Sequence, residues 1–326
     1  MTANAGGTQR QALVLGASGG IGGEVARQLR DAGWQVRALK RGLDAGTVER
    51  DGIAWIRGDA LDRETVVRAA RGCSVIVHAV NPPGYRNWSG QVLPMIDNTI
   101  AAATAAQATV VLPGTIYNYG PDAFPALREE TPQHPTTRKG AIRVELERRL
   151  QVATAQGVRT IIVRAGDFFG AHAGNNWFGQ GLVKAGRPVA SISVPGRPGV
   201  GHQWAYVPDV ARTMVELIER RDTLEPFARF HLGGHWDADG TQMAQAVRRV
   251  AQRHGMRPTV RRFPWWLVWV AAPFVTTMRE MIEMRYLWRE PLRMDNARVT
   301  AVLGREPVTP LDTAVEAALA GLGCLR

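Results

Sequence analysis

Residues 12–34, ALVLGASGGIGGEVARQLRDAGW, join a short apolar run to a segment with helical periodicity through spaced glycines. Between a strand and a helix, such glycines let the backbone turn tightly and approach a pyrophosphate at the helix N-terminus. A glycine-rich turn without a ligand is the alternative, but the order strand, turn, helix and second strand favours a dinucleotide site. The residues expected to meet the cofactor in this turn are Gly16, Ser18, Gly19, Gly20, Ile21 and Gly22.

The first 165 residues continue this alternation of short apolar runs and helical patterns, which is typical of a parallel sheet covered by helices. We therefore predict an α/β fold, a doubly wound parallel sheet followed by a smaller, mostly helical C-terminal substrate lobe. The predicted domains are a nucleotide-binding domain over 1–170, to which 202–222 returns, and a substrate-binding lobe over 171–201 and 223–326. Within that lobe we predict a loop over 186–201 and one helix over 264–289.

The formal net charge of +11 raises the question of a nucleic-acid partner. The basic residues are scattered and are not interleaved with aromatic residues, so we expect a small-molecule substrate and no nucleic acid. Cys73 and Cys324 form neither a metal-ligand spacing nor a disulfide framework, so no metal is expected and a reducing cytoplasm fits. The N-terminal stretch MTANAGGTQR lacks the apolar core of a secretion signal. A homodimer is the candidate assembly.

The most apolar stretch, PWWLVWVAAPFVT at 264–276, is too short to span a bilayer. We interpret it as a core helix and expect no peripheral membrane contact there. Three tryptophans and flanking arginines keep a membrane-surface anchor as the alternative.

The second predicted strand ends in VRALKR, where an NAD-specific site would carry an acidic residue for the ribose hydroxyls. Lys40 and Arg41 stand there instead and could hold a 2′-phosphate. We therefore predict NADP in preference to NAD, with two solvated charges at a strand end as the alternative.

The order of motifs resembles the extended short-chain dehydrogenase/reductase superfamily, in its NAD-dependent epimerase/dehydratase group with a Rossmann-type domain. The matching motifs are GASGGIG at 16–22, GDALD at 58–62, HAV at 78–80, YGPDAFP…EETP at 119–132, RAGDFFG at 164–170 and QWAYVPDVA at 203–211. The resemblance implies that Asp59 and Ala60 flank the adenine, that Ala79 and Val80 border the cofactor, and that Asn98 lies beneath it. It also assigns Ala165 and Phe168, in RAGDFFG, to the cofactor site.

In this superfamily a Ser or Thr orients the substrate oxygen, and a Tyr-x-x-x-Lys pair supplies the proton and holds the ribose. The resemblance places Thr115, in VVLPGTIYNYG, at the orienting position. The helix that should carry the tyrosine reads HPTTRKGAIRVELE at 134–147 and has none. Aligning Arg143 with the family's lysine puts Lys139 at the tyrosine position, whereas aligning Lys139 with that lysine puts Pro135 there. Two residues remain open as the replacement proton donor: Lys139, which lies near Arg143 on the same helical face, and Tyr117. Lys139 is also expected to contact the cofactor.

Aromatic and amide side chains suggest a substrate cavity. The loop NPPGYRNW at 81–88 is expected to project Tyr85 and Trp88 into this cavity. The segments NNWF at 175–178 and HQW at 202–204 are expected to supply its other side chains. The predicted substrate-binding residues are Tyr85, Trp88, Asn176, Trp177, His202 and Trp204.

These features predict an NADP-dependent oxidoreductase that transfers hydride to or from a small carbonyl or alcohol, with a non-standard proton donor. A nucleotide-sugar epimerase or dehydratase is the second hypothesis. The third, motivated by the missing tyrosine, is a non-catalytic NADP-sensing regulator.

Overall fold

The computed structural model describes residues 10–44, 46–82, 88–174 and 176–325. Its strands are β1 (Gln11–Leu15), β2 (Gln35–Lys40), β3 (Thr47–Arg50), β4 (Ile53–Arg57), β5 (Val75–His78), β6 (Thr109–Thr115), β7 (Ala126–Leu127), β8 (Thr160–Ala165), β9 (Asp167–Phe169), β10 (Ser191–Val194), β11 (His202–Tyr206), β12 (Phe227–His231), β13 (His235–Asp237), β14 (Thr259–Arg262) and β15 (Arg293–Met294). Its helices are α1 (Gly20–Asp31), α2 (Arg63–Ala69), α3 (Trp88–Ala106), α4 (Arg138–Thr154), α5 (Val207–Glu219), α6 (Gln242–Arg253), α7 (Trp265–Ala271), α8 (Thr276–Glu283), α9 (Ala297–Leu303) and α10 (Leu311–Gly321).

The central sheet has eight strands in the order β12-β8-β6-β5-β1-β2-β4-β3. From β1 the chain adds β2 and β4 on one side and then returns to the other side for β5 and β6, all in parallel pairs. The edge strand β3 pairs antiparallel with β4. This reversal next to β1 is the topological switch point of a doubly wound sheet, where such folds bind ligands at the carboxyl ends of the strands. The predicted α/β fold class is therefore confirmed.

The chain divides into two compact units. The first unit comprises residues 1–114, 142–163 and 211–229, and the second comprises 115–141, 164–210 and 230–326. The domain bounds expected from the sequence remain a prediction.

The core of the first unit lies between the sheet and the helices α2, α3 and α4. Leu13 and Leu15 of β1 pack with Ile96 of α3 and Leu146 of α4, and all four side chains are buried. Burying one such side chain contributes about 1.5–3 kcal/mol. Because parallel strands are covered on both faces, β1 after Gln11 and β5 before His78 consist of buried apolar residues rather than alternating ones.

The core of the second unit is rich in aromatic residues. Phe169, Phe178, Trp204 and Trp288 pack together with apolar residues of α6 and α10. Sequence periodicity located α6 and α10 well because each has a buried apolar stripe.

Two predictions for this second unit are wrong. The segment 186–201, expected to be a loop, contains β10, which pairs with β14. The segment 264–289, expected to be one helix, is broken into α7 and α8 around Pro273, because proline lacks an N–H group and clashes with the preceding helical turn. In the described part of the chain, no helix is long and apolar enough to cross a membrane.

Candidate functional site

The glycine turn after β1 has almost no room for side chains. Gly16 has φ +88°, and a Cβ there would lie 2.5 Å from the carbonyl oxygen of Ala79 after β5. A Cβ on Gly22 would overlap the carbonyl oxygen of Gly16. Glycine is thus required at both positions, for the turn and for the close packing of α1 on the sheet.

Gly19 differs from these two glycines. It has φ −93°, and an added Cβ would approach no protein atom more closely than the 3.3 Å to the carbonyl oxygen of Gly16. The backbone at Gly19 is therefore accessible from outside the protein. Gly19 also precedes α1, whose first turn carries no acidic residue. An accessible backbone at the positive end of a helix dipole suits a pyrophosphate, so these residues fit a dinucleotide.

The charged residues at the ends of β2 and β4 lie close together. The Nη1 atom of Arg41 is 3.8 Å from Oδ2 of Asp59, and both side chains are exposed. The Nζ atom of Lys40 lies 5.5 Å from the ring centre of Trp55. Asp59 gives the exposed Arg41 a carboxylate neighbour that the sequence did not assign to it.

A buried side chain fixes the backbone next to Asp59. Asn98 of α3 donates from Nδ2 to the carbonyl oxygen of Ala60 at 3.0 Å. The resemblance placed Asn98 beneath the cofactor; its observed contact is with the protein, where it holds the segment that follows β4.

The carboxyl end of β5 carries a buried histidine that the sequence left without a role. Nδ1 of His78 lies 2.8 Å from Oγ1 of Thr99, whose hydroxyl donates to the carbonyl oxygen of Met95. Burial, and secondarily the charge of Arg143, lowers the pKa of His78 to about 3. His78 is therefore neutral at physiological pH, directly before Ala79 and the half-buried Val80.

Trp88 and Arg143 belong to this first unit as well. Trp88 was expected on a loop, but it begins α3 and is buried in the core. The guanidinium carbon of Arg143 lies 5.2 Å from the centre of the Trp88 ring, a cation–π distance. The residue aligned with the family's lysine therefore has an aromatic contact within the protein. Tyr85, the other residue predicted in this segment, lies outside the described residues.

In the second unit, Thr115 ends β6 and caps a short 3-10 turn. Its hydroxyl lies 3.3 Å from Oδ1 of Asn118, to which it donates, and it accepts from the backbone N–H of Tyr117 at 3.3 Å. The Tyr117 side chain packs against a small apolar cluster that includes Ile116 and Met284.

The turn at Tyr117 touches the start of α4. A Cβ on Gly140 would overlap the carbonyl oxygen of Tyr117 and would lie 2.7 Å from Cβ of Pro135. Thr137 caps the helix, because its Oγ1 accepts from the N–H of Gly140 at 2.9 Å. The structure thus brings the Thr115 turn and the helix start that carries Lys139 together.

Lys139 is buried, with 5% of the residue exposed. Its Nζ atom lies 2.6 Å from Oε2 of Glu280 in α8. One turn further along α8, Oε1 of Glu283 accepts from the backbone N–H of Arg138 at 2.6 Å. A cation in the first turn of a helix opposes the helix dipole, and the Glu280 carboxylate offsets that cost. The sequence gave no sign of Glu280, because 140 residues lie between it and Lys139 along the chain.

A buried contact between a histidine and a carboxyl group lies elsewhere in this unit. Nε2 of His202 is 2.8 Å from Oδ2 of Asp167, and Nδ1 faces the carbonyl oxygen of Leu287 at 3.2 Å. A carbonyl oxygen can only accept, so Nδ1 donates to Leu287 and Nε2 faces the Asp167 carboxyl. The ring of Trp288 stacks on His202 at 3.7 Å with 7° between the planes.

The remaining predicted residues have identifiable packing or capping contacts. Asn176 accepts from the N–H of Gly179 at 2.8 Å, and Trp177 lies 5.3 Å from Trp288 between ring centres. Trp204 is buried beside His202. Ala165 is buried at the end of β8 and Phe168 is half-buried in β9. Their roles with a cofactor or substrate stay predictions.

Sequence reasoning missed a polar cluster around Arg164, which is fully buried. Its Nη1 atom donates to the hydroxyl of Tyr119 at 2.8 Å and to Nε2 of His231 at 2.9 Å. Glu129 accepts from the backbone N–H of His231, and burial raises the pKa of Glu129. These residues come from four separate segments, so no local pattern marks them.

Comparisons with known proteins agree with this architecture. One curated relative is the (4-alkanoyl-5-oxo-2,5-dihydrofuran-3-yl)methyl phosphate reductase of Streptomyces griseus subsp. griseus, 37% identical over 94 residues, which are 29% of this chain and 30% of that protein. The matched region thus spans less than a third of that relative.

Two solved structures share the fold across nearly the whole chain. The UDP-glucose 4-epimerase from Bifidobacterium longum, in complex with NAD+ and UDP, is 16% identical with a TM-score of 0.69, covering 95% of this chain and 97% of that one. The UDP-glucuronic acid 4-epimerase from Bacillus cereus, in complex with UDP-glucuronic acid and NAD, is 14% identical with a TM-score of 0.70, covering 96% and 98%. Identities this low establish the fold alone.

The family model described as NAD dependent epimerase/dehydratase family matches residues 12–233, about two thirds of the chain. Those residues include the glycine turn, the switch point and the α4 segment without tyrosine. The resemblance predicted from the sequence is confirmed: the chain belongs to the NAD dependent epimerase/dehydratase family.

Proposed function

We propose that this protein is an NADP-dependent oxidoreductase that interconverts a small carbonyl compound and its alcohol, with Lys139 as the proton donor. The observation that carries the proposal is the buried Lys139–Glu280 pair at 2.6 Å, on the helix where the family places its tyrosine. A buried lysine with a carboxylate partner offers a proton and a route for replacing it.

In this scheme each residue has a separate role in the reaction. When bound, the nicotinamide supplies hydride for a carbonyl carbon or accepts it from an alcohol. Thr115 orients the substrate oxygen through its hydroxyl. Lys139 gives a proton to that oxygen during reduction, and Glu280 then relays a proton from solvent back to the amine. Tyr117 is the second candidate donor, and the proposed Lys139 role predicts that its phenol is dispensable.

Binding of the dinucleotide is assigned to the glycine turn and the neighbouring strand ends. Gly16, Gly19 and Gly22 would hold the pyrophosphate against α1, with Asp59 and Ala60 beside the adenine. Lys40 and Arg41 are the candidate partners for a 2′-phosphate, which supports NADP. The Arg41–Asp59 contact and the family's NAD dependence support NAD as the competing cofactor.

Replacing Lys139 by arginine tests the proton donor. Arginine keeps the positive charge for Glu280 but does not give up its proton, so the fold and the cofactor affinity are retained. We expect kcat to fall by about 10²- to 10⁴-fold, the range for losing a general acid. The measurement is NADPH consumption with a panel of aldehydes and ketones, alongside NADPH binding by calorimetry.

Lys184→Arg is the matched control, since Lys184 is an exposed lysine of the same unit. Tyr117→Phe should leave kcat unchanged. Normal turnover of Lys139→Arg together with a loss of activity in Tyr117→Phe would transfer the proton role to Tyr117.

The cofactor preference is tested by Arg41→Glu. A carboxylate repels a 2′-phosphate and accepts from ribose hydroxyls, so we expect the Kd for NADPH to rise at least about tenfold while that for NADH changes less than about threefold. Fluorescence titration of both cofactors measures this ratio. Equal changes for the two cofactors would assign the site to NAD or remove Arg41 from it.

Family membership favours nucleotide-sugar epimerisation or dehydration as the second candidate function. Either reaction would convert a UDP-sugar without net consumption of the cofactor, so product analysis by NMR distinguishes it from reduction. Tight NADP(H) binding without turnover of carbonyls or UDP-sugars would instead support the regulatory hypothesis.

A further inference from the structure

The helix α7 and the turn after it expose a set of large apolar side chains. Trp266, Trp269, Val270 and Phe274 are 65%, 52%, 66% and 87% exposed. Six of the ten exposed large apolar side chains in the described part of the chain lie in this segment. They form the apolar patch, defined as Trp266, Leu267, Trp269, Val270, Phe274 and Val275. The prediction of a core helix here is wrong for these residues.

The inner face of α7 already has its packing partners. Trp265 donates from Nε1 to the carbonyl oxygen of Pro195 at 2.8 Å and lies 5.6 Å from Trp177 between ring centres. Val268 and Ala272 are buried on the same side. The patch residues face outward, so α7 is apolar on both faces. A helix that is apolar all round needs a second apolar environment beyond its own core.

Charge around the patch indicates what that environment is. The chain has no acidic residue between Asp239 and Glu280. Arg261 and Arg262 of β14 precede the patch, and Arg279 of α8 follows it; all three are exposed. Tryptophan and phenylalanine flanked by arginine are typical of segments that lie in the interface of an anionic lipid bilayer.

A second copy of the chain fits this surface poorly. In a twofold contact the patch packs on its own copy, so the flanking arginines of both protomers would surround the same interface. The sequence from Arg261 to Arg279 contains no carboxylate that would offset the repulsion between these arginines. Anionic lipid headgroups complement the arginines, and acyl chains complement the tryptophans.

We propose that α7 and the following turn dock the protein onto the surface of an anionic membrane, with the apolar patch inserted at the headgroup boundary and the arginines on phosphate groups. The segment is too short to span a bilayer, so the contact is peripheral. This surface lies beside α8, which carries Glu280. The proposal is independent of the proposed reaction.

Vesicle flotation tests the proposal with the 326-residue chain. Liposomes of phosphatidylcholine with about one third phosphatidylglycerol should bind the protein, and binding should weaken when salt rises from about 0.1 M to about 0.5 M. Trp266→Ser with Trp269→Ser should lower the partition coefficient about tenfold or more, because interfacial binding scales with buried apolar area. Val152→Ser with Val308→Ser is the matched control, since both valines are exposed elsewhere.

A triple variant, Arg261→Gln, Arg262→Gln and Arg279→Gln, separates charge from apolar insertion. It should lose its preference for anionic over neutral liposomes. Absence of binding to anionic vesicles at low salt would overturn the proposal, as would equal binding to pure phosphatidylcholine. Sedimentation showing a dimer that the tryptophan variant abolishes, without vesicle binding, would assign the patch to a second copy instead.

Discussion

At the scale of single residues, burial decides which charges the protein can carry. Lys139 and the pair of His202 and Asp167 are buried with partners, and His78 is buried beside a hydroxyl. A buried lysine offsets part of its lost hydration through a carboxylate partner, whereas burial without an acid partner favours the neutral form of a histidine. Identical residue types thus acquire different chemistry according to what lies within about 3 Å.

His78 makes a prediction about pH. Its pKa falls from 6.5 to about 3 on folding, so between these values the unfolded chain binds more protons and stability rises with pH. The effect is absent above about pH 6.5 and amounts to about 2 kcal/mol of lost stability at pH 5. In His78→Asn, the difference in unfolding free energy between pH 7 and pH 5 should shrink by about that amount, measured by urea denaturation.

His172→Asn is the control for this experiment, since His172 is exposed. Carboxyl groups also make stability depend on pH. Hydrogen bonds to Arg148 and Arg149 lower the pKa of Glu145 to about 2, for example, and this contribution is the same in every variant. An unchanged pH difference in His78→Asn would mean that His78 is protonated in the native protein.

At the scale of elements, the start of α4 is organised by contacts from outside the helix. Thr137 caps the N–H of Gly140, Glu283 accepts from Arg138, and Glu280 pairs with Lys139. The first turn of a helix has unsatisfied N–H groups, which explains why two acceptors converge there. Lys139 is therefore held in place by α8 as well as by its own helix.

Gly140→Ala tests the contact between α4 and the Thr115 turn. The new methyl group would overlap the carbonyl oxygen of Tyr117, so we expect a loss of about 1–3 kcal/mol of stability, the usual cost of overpacking. Turnover should fall as well, because the overlap separates Thr115 from Lys139. Gly46→Ala is the control, since an added Cβ there meets no atom within 4 Å.

Thermal unfolding and steady-state kinetics measure the two effects of Gly140→Ala. Stability equal to that of Gly46→Ala would show that the backbone at Tyr117 moves aside without cost.

At the scale of the whole molecule, dinucleotide binding should stabilise the native state. A ligand at a hundredfold excess over its Kd adds about 2.7 kcal/mol, which raises Tm by about 4 °C in a chain of this size. Gly19→Ala should abolish that rise while lowering the Tm of the free protein less than Gly22→Ala does, because its methyl group would lie a tight 3.3 Å from the carbonyl oxygen of Gly16 and would occupy the space that the pyrophosphate needs.

Gly22→Ala provides the contrast. Its methyl group would overlap the carbonyl oxygen of Gly16, so this variant should already unfold at a lower temperature without cofactor. Differential scanning calorimetry with and without NADPH measures both. An undiminished cofactor shift in Gly19→Ala would exclude the glycine turn as the pyrophosphate site.

Much of the fold was predictable because its signals are local. The helices α1 and α6 have apolar stripes with helical spacing, and β1 and β5 are short apolar runs. The break at Pro273 was missed because the apolar residues on both sides resemble one continuous helix. For the candidate site, sequence order located Thr115 and Lys139, whereas Glu280 belongs to a distant segment that no spacing rule connects to them.

The sequence by itself determined the glycine turn, the switch-point sheet, the family and the absence of tyrosine from the α4 segment. These depend on neighbouring residues, since φ angles, periodicity and motif order are properties of a short stretch of chain. Only the tertiary structure decided that Lys139 is buried against Glu280 and that α7 exposes tryptophans on its outer face. Burial and ion pairing depend on which distant segments pack together, and that information lies in the folded chain as a whole.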